Sequence, residues 1–285
     1  MKIIYKDLLG FFKNKPSKEA LSEKLFQLGH EHDFEKKILE LELTPNRGDC
    51  LSLIGLAREL NVFFEMDLDL SLYTDNIELL ELDFINLSPG DCPKISFLEI
   101  EINEPATKYC DYLESHFQDL GINKNNFFTD ISNYISYEMG QPTHCFDSKK
   151  LNGTLTFEKR ECNEEFETLL GKKISLTGKN CVFSNDNRVV SLAGIMGGKN
   201  TACSSKTNKA LVECAFFDPE SIIGKSVSYN LQSDAAHKFE RGVDIECQES
   251  VLRRFIKIVQ DHVEIKSLKL CTFETKPFKN KDLSL

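Results

Sequence analysis

The chain has 285 residues, of which 41% are hydrophobic and 28% charged, and these fractions are typical of a globular protein with one large domain or two ordinary ones. Its formal net charge of −10 at pH 7 argues against indiscriminate binding to nucleic acid, because an acidic surface repels the phosphate backbone, while a local RNA site stays open. No stretch approaches the roughly 18 apolar residues of a membrane span, and the N-terminus has no small-residue cleavage site, so we predict neither membrane contact nor a secretory signal.

The first part of the sequence predicts two helices around an extended stretch. The first helix follows the N-cap Ser17 and ends at Gly29, with leucines at helical spacing between them. An acidic strand is expected over residues 37–43. Asp49 is expected to cap a second helix, whose apolar residues share one face (Leu53, Leu56, Ala57 and Leu60). These elements form a small N-terminal α/β segment, residues 1–73.

Residues 74–94 are polar and rich in turn residues, and they make the best domain boundary in the sequence. Beyond them, apolar residues alternate with glutamates over 98–102, which predicts a half-exposed strand, and a helix then ends at Gly121. A last helix is expected over 245–260. Between these helices we predict short strands, punctuated by glycine, asparagine and aspartate (155–157, 182–183, 189–192 and 211–216). Helices and strands mix without a regular βαβ alternation, so the predicted class is α+β.

The ten cysteines are scattered singly through the sequence. No CxxC pair occurs, and no group of cysteines and histidines has the spacing of zinc ligands. We therefore expect the cysteines to be small core residues of a protein in the reducing cytoplasm, and we predict no metal site.

Four segments carry residue types that are poor choices for a plain core. They read TPNRGDCLSLIGLARE (44–59), DISNYISYEMGQPTHCFD (130–147), LAGIMGG (192–198), and LVECAFF followed by SDAAHKFERGVD (211–217 and 233–244). Together, in this order and spacing, they resemble the β subunit of phenylalanyl-tRNA synthetase from the first residue to about residue 260. One such motif is weak evidence, but the collinear set is very specific.

The resemblance implies that the N-terminal α/β segment packs on a larger mixed α+β domain, built from short strands and flanking helices. That larger domain, residues 92–262, would be the tRNA-editing domain of the family, and residues 263–285 would begin the next module or form a tail. Aminoacylation, with its ATP and Mg²⁺, is expected on the α subunit of a heterotetramer, so no cofactor is expected on this chain. The expected partners are tRNA(Phe) and that α subunit, in the cytoplasm.

The sequence departs from the family pattern in several places. A small oligonucleotide-binding insertion usually separates the first helix from TPNR, and here the two lie close together. The family's magnesium ligands belong to later modules, which these residues do not include. Leu170 stands where aspartate is frequent, while Ser132 and Ser233 stand where threonine is common. Each serine lacks one methyl group relative to threonine, and this loss would loosen discrimination in a pocket without abolishing it.

Tyrosine differs from phenylalanine by one hydroxyl group, which an apolar pocket rejects only weakly, so a synthetase benefits from a second, hydrolytic site. Such a site needs a buried acceptor for the para-hydroxyl, because phenylalanine would leave that acceptor without a partner. The resemblance assigns this role to Glu213, framed by apolar neighbours (Leu211, Cys214, Phe216 and Phe217). From the sequence alone, a strand carboxylate paired with a surface lysine is the more common arrangement.

His144 follows the rigid turn of residues 140–142, and the resemblance assigns it a positioning role beside a water or the terminal ribose of the tRNA. A histidine beside Phe146 is otherwise more often structural. The backbone amides of the glycine loop would approach an ester carbonyl or ribose, although such glycines are as often simple turn formers (Gly194, Gly197 and Gly198). The expected pocket wall is completed by Ser132, Asn133, Ser233, Asp234 and Ala235.

A second group of motif residues is predicted to be structural, because arginine and carboxylate side chains fix chain crossings through bidentate bonds. They are Thr44, Asn46, Arg47, Arg58, Glu240 and Arg241. No nucleophile–base pair or phosphate-binding loop is found in the sequence, so hydrolysis would use a positioned water. Three functions stay open: a β-subunit piece that edits Tyr-tRNA(Phe) together with an α subunit, a free-standing trans-editing hydrolase, and a non-catalytic RNA-binding or structural module with decayed editing.

Overall fold

Three β-sheets organise the computed structural model, which describes residues 1–275. The strands are β1 (Lys2–Ile4), β2 (Glu31–Glu35), β3 (Ile38–Glu42), β4 (Glu78–Leu79), β5 (Phe84–Asn86), β6 (Lys94–Ile102), β7 (His144–Asp147), β8 (Leu155–Glu167), β9 (Lys173–Asn185), β10 (Arg188–Leu192), β11 (Met196–Gly197), β12 (Lys209–Phe216) and β13 (Ile265–Glu274). The helices are α1 (Tyr5–Leu9), α2 (Lys18–Gln27), α3 (Leu53–Leu60), α4 (Asp111–Leu120), α5 (Phe127–Met139), α6 (Pro219–Ile222), α7 (Lys225–Ser228), α8 (Asp234–Phe239) and α9 (Gln248–His262). This mixture confirms the predicted α+β class.

The N-terminal segment forms a three-stranded antiparallel sheet in the order β1-β3-β2, with α1, α2 and α3 around it. Helix α2 begins as predicted, because the Ser17 hydroxyl accepts a hydrogen bond from the Ala20 amide at 3.2 Å. Strand β3 confirms the predicted acidic strand. Strand β2 was not predicted, since only one of its five residues is a large apolar one.

The predicted cap of helix α3 is wrong. Ser52 is the N-cap, and its hydroxyl accepts a hydrogen bond from the Gly55 amide at 2.9 Å. Asp49 lies in a preceding 3₁₀ turn, where its carboxylate accepts hydrogen bonds from the guanidinium groups of Arg47 and Arg58. Two charge-assisted partners hold this carboxylate away from the helix end, so the shorter serine side chain caps it.

The five-stranded sheet β4-β13-β6-β12-β7 is the middle layer of the molecule. One face, with Leu98 and Val212, shares a core with helices α4, α5 and α9 and with the N-terminal segment. The other face, with Phe97 and Leu211, packs against the second five-stranded sheet, β11-β10-β9-β8-β5. The strand predicted over 98–102 is thus confirmed as part of β6, whose burial on both faces comes from this layering.

The second sheet corrects the prediction of short strands. β8 and β9 are each thirteen residues long and pair antiparallel along their whole length. Their outer halves are rich in charged residues, and the buried residues there change face, from Leu155 and Phe157 to Cys162 and Phe166. A strand that buries first one face and then the other shows no single alternation in sequence, so the prediction covered only residues 155–157 of β8 and residues 182–183 of β9.

Residues 74–94 join the two large sheets, since β4 pairs with β13 and β5 pairs with β8. At the other end, residues 265–274 form β13, which pairs antiparallel with β6 along nearly its whole length. Part of the segment assigned by sequence to a tail or a further module is therefore a strand of the middle sheet, and residues 276–285 lie outside the described residues.

Helices α4 and α9 were predicted correctly, with Gly121 ending α4 in the left-handed conformation at φ 66°. Helix α5, which begins after the N-cap Asn126, was not predicted. It is buried around most of its circumference, so it lacks the single apolar stripe that reveals a surface helix. Within residues 1–275, no helix is long and apolar enough to cross a bilayer.

All ten cysteines are free thiols, and eight of them are buried. Their scattered positions therefore correspond to core packing, as their spacing predicted.

Candidate functional site

A cavity of about 510 Å³ opens between the middle sheet, helix α5, the start of helix α8 and the glycine loop. Its volume suits a ligand of drug size. Nine predicted site residues line it: Ser132, Asn133, His144, Gly194, Gly197, Glu213, Ser233, Asp234 and Ala235. Four separate segments of the sequence thus meet at one site. Gly198, the tenth, contributes to the packing behind it.

Glu213 lies on β12, directly opposite His144 of β7, so both side chains project from the same face of the middle sheet. Glu213 is only 3% exposed. Within residues 1–275, no group donates a hydrogen bond to its carboxylate and no cation pairs with it, so burial raises the pKa of Glu213 to about 8. Glu213 therefore does not form the surface-lysine pair that is common for strand carboxylates, whereas Glu99 does, with Lys209.

His144 is half-buried, and its ring stands edge-on to Phe146 with the centroids 4.4 Å apart. Its Nε2 is buried and has no hydrogen-bond partner among the described residues. Burial lowers the pKa of His144 to about 4, so the imidazole is neutral at pH 7. The Cε1 edge of the ring packs directly against Gly197, since a Cβ there would stand 2.1 Å from His144 Cε1.

Gly194 and Gly198 of the glycine loop are needed for different reasons. Gly194 has φ +69°, and a Cβ there would stand 3.0 Å from both Phe217 and Ile222, so this position needs glycine for conformation and for space. The amide of Gly198 donates to the Val190 carbonyl at 2.8 Å. This amide is already bonded, so it is not available for the predicted contact with an ester carbonyl.

Both serines of the pocket wall use their hydroxyl groups to hold the wall together. Ser132 Oγ donates to the Thr143 carbonyl at 2.6 Å, which ties α5 to the start of β7. Ser233 Oγ donates to the Ile195 carbonyl at 2.6 Å and accepts from the Ala236 amide, so it caps α8 and ties it to the glycine loop. A threonine hydroxyl offers the same donor and acceptor, so serine supplies the hydrogen-bonding group that threonine would supply at these positions.

The apolar frame around Glu213 is only partly as predicted. Leu211 lies on the same face of β12 as Glu213, and Phe217 lines the cavity. Cys214 points to the opposite face and packs with the helices, because neighbouring residues of a strand alternate between faces. Cys214 is therefore not part of the frame.

Several lining residues were missed in the sequence, among them Asn125, Asn126, Thr129, Thr143, Met196, Ser204 and Ser205. Thr129 precedes Ser132 and Asn133 by three and four positions, so a helix predicted over 127–139 would have placed it on their face. Residues 202–205 carry no such pattern. Their place at the cavity follows from a backbone pairing between Ala202 and Phe146.

The TPNR turn is held by arginine, as expected for a structural element. Arg47 makes bidentate bonds to Asp49, at 3.0 Å each, and to Glu59, at 2.8 and 2.6 Å. Thr44 Oγ1 donates to Asn46 Oδ1 at 2.7 Å, and Arg58 also binds Asp49. Asp49, Glu59 and the thiol of Cys50 lie close enough to share a metal ion, but Arg47 occupies the space among them.

Glu240 and Arg241 do not pair with each other in the structure. Glu240 accepts a hydrogen bond from the Gly224 amide at 3.2 Å, and Arg241 donates to the His237 carbonyl at 3.0 Å. A Cβ on Gly48 would stand 2.7 Å from the Arg241 carbonyl oxygen. The turn after Arg47 therefore packs against the segment that follows α8, which links the N-terminal segment to the cavity wall.

We expect the stability of the chain to depend on pH through Glu213. When a carboxyl group has a higher pKa in the folded chain than in the unfolded chain, the free energy of unfolding falls as the pH rises from the unfolded pKa to the folded pKa. The reason is that only the unfolded chain releases the proton in this range. Glu213→Gln should thus raise the free energy of unfolding relative to the wild type by roughly 1–4 kcal/mol at pH 8, and by little at pH 5. Urea denaturation across this range measures the difference, with the exposed Glu31→Gln as control. A difference that stays constant with pH would mean that Glu213 ionises freely.

Comparison with known proteins assigns the family. Residues 92–264 match the family model described as B3/4 domain. The chain belongs to the B3/4 domain family. The matched residues include strands β6, β7 and β12 of the middle sheet and all strands of the second sheet except β5. They also include every lining residue of the cavity.

The relatives of the whole chain confirm the resemblance found in the sequence. The chain is similar to "Phenylalanine--tRNA ligase beta subunit" of Neisseria meningitidis serogroup B, at 35% identity over 233 residues, which covers 80% of this chain and 29% of that protein. The same subunit of Fusobacterium nucleatum is 33% identical over 227 residues, covering 79% and 28%. That of Psychrobacter arcticus is 31% identical over 229 residues, covering 79% and 29%. The matched region thus spans less than a third of these relatives.

Among solved structures, the chain is similar to an N-terminal fragment of the phenylalanyl-tRNA synthetase beta subunit of Pyrococcus horikoshii. The TM-score is 0.45 at 13% identity, and the match covers 99% of this chain and 80% of that one.

Proposed function

We propose that this chain is the editing part of a phenylalanine--tRNA ligase beta subunit and that it hydrolyses the ester of Tyr-tRNA(Phe). The observation that carries the proposal is the carboxyl of Glu213, which is buried at the cavity without a partner among the described residues. A desolvated polar group of this kind favours a ligand with a matching hydroxyl over one without it. The names of the similar beta subunits supply phenylalanine. Tyrosine is the competitor proposed here, because it differs from phenylalanine by one hydroxyl group, which an apolar pocket rejects only weakly.

The raised pKa changes how Glu213 would bind tyrosine. At pH 7 its carboxyl is neutral, with one O–H donor and one carbonyl acceptor. A phenol also has one donor and acceptor lone pairs, so the two groups complement each other in either direction. A neutral carboxyl also avoids the cost of burying a charge when the cavity is closed by substrate.

The cavity favours hydrolysis by a positioned water over a covalent route. Burial raises the pKa of Cys203 to about 12 and raises the pKa of Cys145 well above the ordinary thiol value, so neither thiol ionises at pH 7. The hydroxyl of Ser132 is committed to Thr143. His144, neutral and directly opposite Glu213, would orient the water or the terminal ribose. Aminoacylation, with ATP and Mg²⁺, would belong to an α subunit.

The test is deacylation of Tyr-tRNA(Phe) and Phe-tRNA(Phe), each by the wild type and by Glu213→Ala. We expect the wild type to prefer the tyrosyl ester by about 1,000-fold or more, because phenylalanine leaves Glu213 unpaired, and the variant to lose this preference. Asp218→Ala is the control, since Asp218 follows β12 outside the cavity. Equal hydrolysis of both esters by the wild type would refute the assignment of Glu213.

A binding measurement separates the pocket from tRNA docking. A non-hydrolysable amide of tyrosine with 3′-amino-adenosine should bind the wild type more tightly than the phenylalanine amide, and Glu213→Ala should bind both equally. If the wild type shows this preference but hydrolyses neither ester, the chain acts only with the rest of a synthetase. Absence of the preference would favour a module with decayed editing.

A further inference from the structure

The cavity extends beyond the site that the motifs predicted. Its far end lies between the N-terminus of α5 and residues 202–205, where Asn126 Nδ2 donates to the Cys203 carbonyl at 3.2 Å. Asn125, Ser204 and Ser205 line this end and are exposed. Glu213 and Phe217 also line the cavity, so an amino acid whose side chain is held at Glu213 would leave these polar side chains for the group esterified to it.

Lysines gather on the outer side of this polar end. Lys149 and Lys150 lie in a 3₁₀ turn that contacts a second 3₁₀ turn, residues 199–201. Lys150 Nζ donates to the Ala202 carbonyl at 2.7 Å, and Lys149 Nζ donates to Asn208 Oδ1 at 2.7 Å. Lys206 is exposed and directly follows the lining residues 204–205. We call Lys149, Lys150 and Lys206 the lysine surface.

The charges nearby leave the lysine surface positive. Asp147 is buried, and its carboxylate accepts from Thr207 Oγ1 at 2.7 Å and from the Lys149 amide at 3.1 Å. It also forms an ion pair with Lys150 Nζ at 4.0 Å. Glu167 forms an ion pair with Lys199 at 2.6 Å, so these two residues add no net charge to the region. Lys150 shares its charge with Asp147, while Lys149 and Lys206 have no carboxylate partner among residues 1–275. The lysine surface thus keeps a positive excess, on a chain in which acidic residues outnumber basic ones by 45 to 35. The lysine surface reverses the sign of the chain beside residues 202–205, which line the cavity.

We propose that the lysine surface binds the phosphates of a single-stranded RNA 3′ end whose terminal nucleotide enters the polar end of the cavity. The proposal rests on the proposed function, because it places the amino acid ester at Glu213 and the RNA behind it. Two of the lysine tails are held by Asn208 and the Ala202 carbonyl, so their ammonium groups are already ordered beside the cavity. Positive side chains along such a path track a nucleic acid backbone without reading its sequence.

The test compares the wild type with a triple variant, Lys149→Gln, Lys150→Gln and Lys206→Gln. Binding of an unmodified tRNA(Phe) transcript is measured between 50 and 200 mM salt. Loss of three phosphate contacts should lower the magnitude of the slope of log affinity against log salt by about 2, and should weaken binding roughly ten-fold or more at 50 mM salt. The matched control carries Lys6→Gln, Lys15→Gln and Lys108→Gln, three exposed lysines away from the cavity with the same change in net charge.

Hydrolysis distinguishes this proposal from the proposed function. The triple variant should hydrolyse Tyr-tRNA(Phe) with a raised KM and hydrolyse the tyrosyl ester of adenosine, which has no phosphate, as fast as the wild type does. If the wild type hydrolyses neither ester, but the triple variant still shows a smaller slope of log affinity for tRNA against log salt, the lysine surface binds RNA and the proposed editing function is wrong. If the triple variant binds tRNA with the slope and affinity of the control, the lysine surface does not bind RNA, and an acidic protein partner becomes the better candidate.

Discussion

Gly197→Ala is expected to lower kcat/KM for Tyr-tRNA(Phe) hydrolysis about 100-fold, because the new methyl group displaces His144. The added Cβ would stand 2.1 Å from Cε1 and 2.8 Å from Nε2 of the imidazole, so the ring has to leave its place opposite Glu213. A displacement of about 1 Å in a positioning group costs on the order of 100-fold in rate. Gly197 does not have a positive φ, so the effect comes from the ring and not from backbone strain. Steady-state deacylation kinetics measure it.

The control for this prediction is Gly90→Ala, since Gly90 also lacks a positive φ and a Cβ there meets no atom within 4 Å. A second variant tests the cause. In the background of His144→Ala the ring is gone and the Cβ has room, so adding Gly197→Ala should change the rate less than two-fold. Equal losses from Gly197→Ala in both backgrounds would show that the methyl group acts by another route.

Arg254→Ala is expected to lower the free energy of unfolding by roughly 3–5 kcal/mol, because it leaves the buried carboxylate of Glu138 without its positive partner. Arg254 of α9 donates to Glu138 of α5 through two hydrogen bonds, at 2.7 and 2.8 Å. The side chains are 11% and 6% exposed, so little water reaches either group. The pair joins the two helices behind the turn that carries His144. Urea or thermal denaturation at pH 7 measures the loss.

Lys257→Ala is the matched control, because it removes a positive charge from the same helix and breaks only a partly exposed pair with Asp261. That change should cost about 0.3–0.5 kcal/mol. Adding Glu138→Gln to Arg254→Ala should recover part of the lost stability, since glutamine carries no charge and still accepts from Tyr134. The explanation fails if Arg254→Ala and Lys257→Ala cost the same.

Local signals were sufficient for much of the fold. Ser17 caps α2 and Gly121 ends α4 as predicted, since capping depends on a few neighbouring residues. Helix α5 was missed although Asn126 caps it, because its buried face includes Asp130 and Glu138. Their partners, Tyr109 and Arg254, lie far away in sequence. A buried carboxylate therefore resembles a surface residue until its partner is known.

Hydrophobic periodicity by itself determined the α+β class, and the motifs determined the family resemblance and nine of the residues that line the cavity. Residue types at fixed spacing carry that information, because caps, strand alternation and motif order are local properties of the chain. Only the tertiary structure decided that arginines bind Asp49 and that the Gly198 amide donates to the Val190 carbonyl. It also decided that Glu213 lies opposite His144 without a hydrogen-bond partner among the described residues. Each of these depends on which distant groups come within bonding distance, and burial and hydrogen bonding between segments are set only when the layers pack.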